Sequence, residues 1–391
     1  MHVLYAMHLT ASLLSLLATA TASSLPPGSV FKISINGHDT SGTTQASVDS
    51  SSDPSTPKPV THKTYKNLEV FSHYAVAAYC ASNQDYTADK VLKPLYCEEG
   101  GGAPCAIVSA SNTSAIYNFQ DYGDYAVSGY VGVDHGRKLS ILSFAGRVNE
   151  RPYNASVTVN QEKVDEDKMA PVPGMCEGCE VDPLMLKVWD DVKEQMSAML
   201  NLAVKMYGHV VVTGHSRGGT LGAVAAAWLR RRDVEVSLYT YNSPRAGNEA
   251  FAKYISSKGQ NHRVTHKLAH KTLEPKGGKQ NHTYTHFGPE YYIDTPFRGK
   301  YPEVKDIKAI KGPDSEGGNL GDVPRLKEEN RGGWEMSQDG DDKDWDYLKE
   351  FDAEDHWAAD KWAFGQMDKC DRVPDAPVEE KPCRDHQSKT E

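Results

Sequence analysis

The stretch Val211-Val-Thr-Gly214-His215-Ser216-Arg217-Gly218-Gly219-Thr220 constrains this chain more than any other. A short apolar run, residues 209–213, leads into a serine framed by glycines, and a run of small residues, 217–231, follows at once. A G-x-S-x-G pattern arises by chance in many chains, but between a strand and a helix it has a mechanical meaning. The backbone must turn sharply enough to push the serine Oγ clear of its neighbours. Such a turn is strained and brings two backbone segments together, which glycine permits because it has no Cβ. The next helix starts beneath the serine, so its positive end and the Arg217 N–H point at negative charge developing there. A phosphate-binding loop is the competing reading of glycines at a helix start. It calls for a Lys-Ser/Thr pair, and this stretch has none.

Regular elements alternate around this turn. Residues 66–82 show helical spacing, and residues 126–133 and 139–145 read as strands joined by a turn at Asp134-His135-Gly136. Residues 184–207 form a long amphipathic helix, with Leu184, Val188, Val192, Met196, Met199 and Ala203 at three- and four-residue steps. Its methionines fit core packing better than a cofactor box. The 217–231 helix ends in Arg230, Arg231 and Arg232, which complement its negative pole, and residues 234–241 form the next strand. This alternation predicts an α/β fold with a largely parallel central sheet and helices on both faces.

With 391 residues, 39% of them hydrophobic and 25% charged, the chain can bury a sizeable core in one domain or two. A formal net charge of -10 argues against nucleic acid as a partner and against docking on anionic membranes. The apolar run Ala11 to Ala18, followed by Ala20-Thr21-Ala22, makes residues 1–22 a secretory signal peptide. The run is too short to span ~30 Å of hydrocarbon, against the rival reading of a single-pass anchor. Residues 23–62, rich in Ser, Thr, Pro and Gly, read as a disordered leader or propeptide. Residues 298–350 read as an acidic insertion or loop and 371–391 as a polar tail, which leaves 63–370 for the folded domain.

Sequons at Asn112, Asn154 and Asn281 fit an exported glycoprotein. Seven cysteines in such a chain point to disulfides. Cys97 and Cys105 lie close in sequence, Cys176 and Cys179 form a C-x-x-C, and Cys80, Cys370 and Cys383 remain. Zinc at the C-x-x-C would need a second ligand pair of suitable spacing, which the sequence lacks, so no metal or organic cofactor is expected. The odd count leaves one thiol unpaired or shared between chains.

The pieces occur in a recognisable order: Ala77-Ala78-Tyr79-Cys80, Gly129-Tyr130-Val131, Phe144-Ala145-Gly146-Arg147, Cys176-Glu-Gly-Cys179-Glu-Val181 with Trp189, the serine turn, and Tyr241-Asn-Ser-Pro244-Arg245-Ala-Gly247-Asn248. Arg263-Val-Thr-His266, His286-Phe-Gly-Pro-Glu290, His356, Trp362-Ala-Phe364-Gly365 and Cys370 complete the series. Over residues 66 to 370 the chain resembles the fungal secreted lipases and feruloyl esterases of the class 3 lipase group. The resemblance implies an α/β-hydrolase fold and ester hydrolysis by a Ser-His-Asp triad on a small-molecule ester or lipid. It makes Ser216 the nucleophile and His356 the general base, gives His286 a supporting role, and pairs Cys176 with Cys179 and Cys80 with Cys370. Backbone N–H groups of Arg217 and Arg147 are the expected oxyanion donors.

Two positions depart from the family pattern. Where the triad acid is expected after Arg263-Val-Thr-His266, the chain has Ala269; Glu274 is the nearest substitute and Asp294 another. The segment Asp322-Val-Pro-Arg-Leu resembles the missing piece but falls after the Tyr291-Tyr292-Ile293 strand, and reads as a coincidence. Arg147 stands where the family carries a hydroxyl for the oxyanion, a loss worth ~3 kcal/mol of transition-state stabilisation. Residues 148–160 lack the Trp- and Leu-bearing amphipathic helix of an interfacial lid, which favours soluble esters. Two functions follow as alternatives: a secreted carboxylic-ester hydrolase, or an inactive lipase-like binding protein. A structural wall protein, the third class, would show repeats, and none is present.

Overall fold

The computed structural model describes residues 56–80, 93–94, 107–108, 110–122, 127–146, 158–159, 162–163, 169–274, 284–295, 300–315, 317–322 and 358–368. Ten strands form its main sheet. They are β1 (Lys58–Pro59), β2 (Lys93–Pro94), β3 (Thr113–Tyr122), β4 (Val127–Asp134), β5 (Leu139–Phe144), β6 (Val210–His215), β7 (Val236–Tyr241), β8 (Gln260–His266), β9 (Glu290–Ile293) and β10 (Ile307–Ile310). Their order across the sheet is β1-β10-β9-β8-β7-β6-β5-β4-β3-β2. Strands β5 to β9 run parallel, and antiparallel strands extend the sheet on either side.

Four helices are named here: α1 (His62–Ala77), α2 (Pro183–Tyr207), α3 (Arg217–Arg230) and α4 (Glu249–Ser256). Three start on side chains that take up an orphan N–H: Thr61 accepts from Thr64, Asp182 from Met185, and Asn248 from Phe251. Pro183 opens α2, where its missing N–H costs nothing.

The parallel strands are covered on both faces, so β6 reads as an unbroken apolar run rather than an alternating one. Its period of two still sorts the side chains. Val210 and Val212 pack with Leu142, Phe144 and Leu238 in the layer under α2 and α3. Val211 packs with Ile141, Tyr239 and Tyr241 in the layer under α1. In α2 the apolar stripe buries Val188, Trp189, Val192, Met196 and Ala203, so the methionine at 196 is core.

The edges differ from the sequence expectation. Lys58–Pro59, read as the end of a leader, pairs antiparallel with Ile307–Ile310, read as part of an acidic insertion. Only Ile307 and Ile310 of that strand are buried, a pattern that composition averages hide. Helix α1 also begins at His62, four residues before its expected start, and ends at Ala77.

Candidate active site

Ser216 sits at the carboxyl end of β6, on the turn into α3, with φ 53 and ψ -132. A non-glycine residue in that region of backbone space is strained, and it persists only where neighbours hold it. The holding contacts are specific. Ser216 N–H donates to Tyr241 O at 2.9 Å, and Ser216 O accepts from Gly219 N at 2.9 Å and from Ser243 Oγ at 2.9 Å. Gly214 and Gly218 allow the approach, because a Cβ on Gly214 would stand 2.4 Å from the Gly218 carbonyl carbon. Ser216 and Arg217 are half-buried while the residues around them are buried, so the serine faces outward from a fixed frame. Arg217 opens α3, which places its N–H at the positive end of the helix as expected.

The residue before the serine ties three segments together. His215 Nε2 lies 2.9 Å from Asp360 O, and its Nδ1 lies 2.8 Å from Tyr79 Oη. A carbonyl only accepts, so Nε2 carries the proton and Nδ1 accepts from the tyrosine. The Tyr79 hydroxyl in turn accepts from Gly146 N–H at 2.7 Å. Burial raises the Tyr79 phenol far above its ordinary range, against the Gly146 bond that lowers it, so it stays protonated as this arrangement requires. One hydroxyl from the end of α1 thereby joins the segment after β5 to the serine turn.

Asn242, at the end of β7 with φ 43, anchors the C-terminal segment. Its Nδ2 lies 3.0 Å from Ala359 O, 3.1 Å from Asp360 O and 2.7 Å from Trp362 O, while its Oδ1 accepts from His266 N at 2.8 Å. Residues 358–363 are therefore held across the carboxyl ends of β6, β7 and β8. Within them Asp360 is a buried acid. Its Oδ1 accepts from Lys271 N at 3.0 Å, and its Oδ2 lies 3.3 Å from His270 Nδ1, a close approach outside hydrogen-bond alignment. Burial raises the Asp360 carboxyl well above the carboxylate range, and Glu274 adds to this; the Lys271 N–H and the charges of Lys271 and Lys361 oppose it. Sequence reading passed over Asp360, Tyr79 and Asn242 as site residues, because their roles rest on contacts between distant segments.

Ala269, at the expected acid position, is fully buried and packs with Leu268 and Ala359. Glu274 contributes its carbonyl to Arg245 N at 2.7 Å. Asp294 is occupied by two lysines: it lies 3.0 Å from Lys267 Nζ and pairs closely with Lys308. Asp322, read as a coincidental likeness, lies close to this position. Its Oδ2 accepts from Leu268 N at 3.3 Å and its Oδ1 from Tyr292 Oη at 2.6 Å, beside position 269. The short helical turn Asn319–Asp322 returns to this place because Asn319 donates to His266 O at 3.0 Å.

Cys176 is bonded to Cys179, and Cys80 is disulfide-bonded to a residue outside the described ones. Asn112 is exposed in the turn before β3. His286 is buried, with its Nε2 2.5 Å from Thr272 O. His356, Arg147, Cys97, Cys105, Cys370, Cys383, Asn154 and Asn281 lie outside the described residues. Among the described residues no group of three His, Cys, Asp or Glu side chains is placed to hold a metal ion. No helix among them is long and apolar enough to cross a membrane.

Comparison with known proteins agrees with this geometry. Residues 141–268 match the family model "Lipase (class 3)". The chain is 33% identical over 257 residues to secreted mono- and diacylglycerol lipase A of Penicillium cyclopium, covering 65% of this chain and 78% of that one. It is 31% identical over 256 residues to secreted mono- and diacylglycerol lipase 1 of Fusarium solani, covering 65% and 71%. A crystal structure of a variant of the Penicillium cyclopium protein superposes with a TM-score of 0.61 at 28% identity, over 79% of this chain and 98% of that one. The α/β-hydrolase fold, the ordered motifs and these relatives agree: the chain belongs to the class 3 lipase family.

Proposed function

We propose that the protein is a secreted carboxylic-ester hydrolase with Ser216 as its nucleophile, acting on acylglycerols or other small carboxylic esters. The carrying observation is the strained backbone of Ser216 at the head of α3, which is the geometry an outward nucleophilic hydroxyl needs. The chemistry runs in two halves. An imidazole takes the Ser216 proton, Oγ attacks the ester carbon, and the C–O bond to the alcohol breaks as the imidazolium returns the proton. Water then repeats the sequence on the acyl-enzyme and frees the acid. The Arg217 N–H faces the oxyanion, and the sequence offers His356 as the imidazole. The names of the relatives in Penicillium cyclopium and Fusarium solani support an acylglycerol substrate and an extracellular location. A glycan on exposed Asn112 fits that location.

The test is turnover of p-nitrophenyl butyrate and monoolein by the full chain. Wild type is expected to turn over, and Ser216→Ala is expected to fall to background. Equal rates for the two proteins would end the proposal. One observation favours the second reading, an inactive binding protein: Ala269 supplies no carboxylate at the place where an acid is expected. That reading expects wild type to bind monoolein and leave it intact.

A further inference from the structure

The turn before β3 and the end of α2 lie at the pole of the sheet opposite the serine. Strand β3 is antiparallel to β4, and β4 to β5, so β3 runs in the same direction as β5 and β6. The pairs Thr113 with Asp134, Asp134 with Leu139, and Ser140 with Val210 carry this pole across the sheet to the start of β6. Ser216 follows the other end of β6, about 20 Å away at ~3.3 Å per residue. Asn112 is exposed at the first pole, with φ 50, and begins the sequon Asn112-Thr113-Ser114. Its turn is clamped: Ser111 O accepts from Gly136 N at 2.9 Å, and Ser111 Oγ accepts from Arg137 Nη1. Beside Gly136, His135 Nδ1 lies 2.7 Å from Tyr207 Oη, on the last residue of α2. Helix α2 packs across β3, β4 and β5, and α3 across β5, β6 and β7. Trp189 meets Trp228 with ring centroids 5.4 Å apart, which fixes the flank of α2 that faces α3. By the ~100° step per helical residue, Leu202 and Met206 stand on the other flank, on the β3 side. They are 42% and 41% exposed, and among the described residues they are the large apolar side chains left in solvent. Half-buried Met199 adjoins them one turn back. Neighbouring apolar side chains in solvent invite self-association unless something covers them.

We propose that Asn112 carries an N-linked glycan whose first sugars lie over Leu202 and Met206 and keep this flank of α2 from self-association. The proposal rests on the secreted reading above. In the transfer, the Asn112 amide nitrogen loses a proton and bonds to the anomeric carbon of N-acetylglucosamine. The lipid-linked diphosphate that carried the oligosaccharide leaves. The folded sheet hides the rest of the sequon: Thr113 is buried, with Oγ1 2.7 Å from Tyr74 Oη, and Ser114 pairs with Val133. The transfer therefore precedes folding, and the clamped turn then fixes where the glycan leaves the surface. A pyranose ring is apolar on its C–H face and polar around its rim. Laid on Leu202 and Met206 it removes apolar surface from water on one side and stays hydrated on the other. At this pole the glycan leaves Ser216 unobstructed.

The experiment expresses the full chain in a filamentous fungal host as wild type, Ser114→Ala, Asn112→Asp, the pair Leu202→Gln with Met206→Gln, and that pair combined with Ser114→Ala. Ser114→Ala breaks the sequon with Asn112 in place, and Asn112→Asp keeps a residue that tolerates positive φ. Release with peptide N-glycosidase in heavy-oxygen water, followed by mass spectrometry, reads occupancy at Asn112. Size-exclusion chromatography and the fluorescence of an apolar-surface dye read the flank, and thermal melts report folding. Secreted wild type is expected to be occupied at Asn112 and to elute as one species. Ser114→Ala, Asn112→Asp and folded wild type stripped by the glycosidase should all shift to larger species and bind more dye. The Leu202→Gln and Met206→Gln pair should reverse both changes in the Ser114→Ala background. Secreted wild type unmodified at Asn112 overturns the proposal, and so does stripped protein that elutes and binds dye as the glycosylated form does. A glycosylated wild type that is already dimeric, and that the Leu202→Gln and Met206→Gln pair splits, assigns the flank to a second copy and also overturns it. Wild type retained in the cell with residues 1–22 attached removes the secreted reading, and the proposal with it. None of these readouts depends on turnover, so failure of Ser216 as a nucleophile is seen separately.

Discussion

At the scale of single residues, the site depends on a hydroxyl that sequence reading does not single out. Tyr79 Oη accepts the Gly146 N–H and donates to His215 Nδ1, so it couples the segment after β5 to the end of β6. Tyr79→Phe keeps the ring and removes the coupling. Taking the acceptor from a half-buried backbone N–H costs about 1–3 kcal/mol. We expect a lower melting temperature and a fall in kcat of about tenfold, since the turn that aims Ser216 loses a lateral support. Unchanged kcat in a folded Tyr79→Phe would show that the turn is rigid without it. Ser216 was legible because its turn imposes a local demand for glycines at 214 and 218. Tyr79 was not legible as its partner because 136 positions separate it from His215. Asp360 was hidden for the same reason, its Lys271 contact spanning 89 positions.

Among elements, β5 to β7 could be read directly, because burial on both faces leaves continuous apolar runs bounded by turns; β8, with the polar sequence QNHRVTH, could not. The helices beside them could be read from their spacing, to within a few residues at their ends. The segment 358–363 could not, since nothing in Ala358–Ala363 is periodic and its place is set by contacts from distant residues, Asn242 among them. Asn242 makes contacts to three of its carbonyls and accepts from His266 N, and it also occupies positive φ, which asparagine tolerates better than alanine. Asn242→Ala is expected to cost about 3 kcal/mol and to open the C-terminal segment to protease before the domain unfolds. Urea unfolding with an unshifted midpoint, and cleavage no faster than wild type, would count against this anchoring role.

For the whole molecule, acid is the predicted weakness. Burial holds the imidazoles of His262 and His266 down to about 4, against their bonds to the Leu238 and Lys267 backbone, which act in the opposite direction. Asp314 goes to about 2: burial would raise it, but Arg245, His286, Arg263 and the His286 N–H together outweigh burial. The signs agree. A depressed histidine contributes stability that is complete above its unfolded value of about 6.5 and is lost as pH falls through the folded value. A depressed aspartate loses its contribution lower, below about 4 and down through about 2. The melting temperature should therefore be level above pH 6.5 and decline from there to pH 4, with a further decline below. Equal melting temperatures at pH 7 and pH 4.5, by calorimetry, would show that these imidazoles do not govern the transition.

The pairing of Lys58–Pro59 with Ile307–Ile310 has a consequence for processing. A peptidase trimming the amino end can stop before Lys58 and leave the sheet sealed. A cut a few positions further on would uncover the outer hydrogen-bonding rim of Ile307–Ile310 and offer it to another chain. Pro59, which has no N–H to donate, caps that rim with a poor template for a further strand.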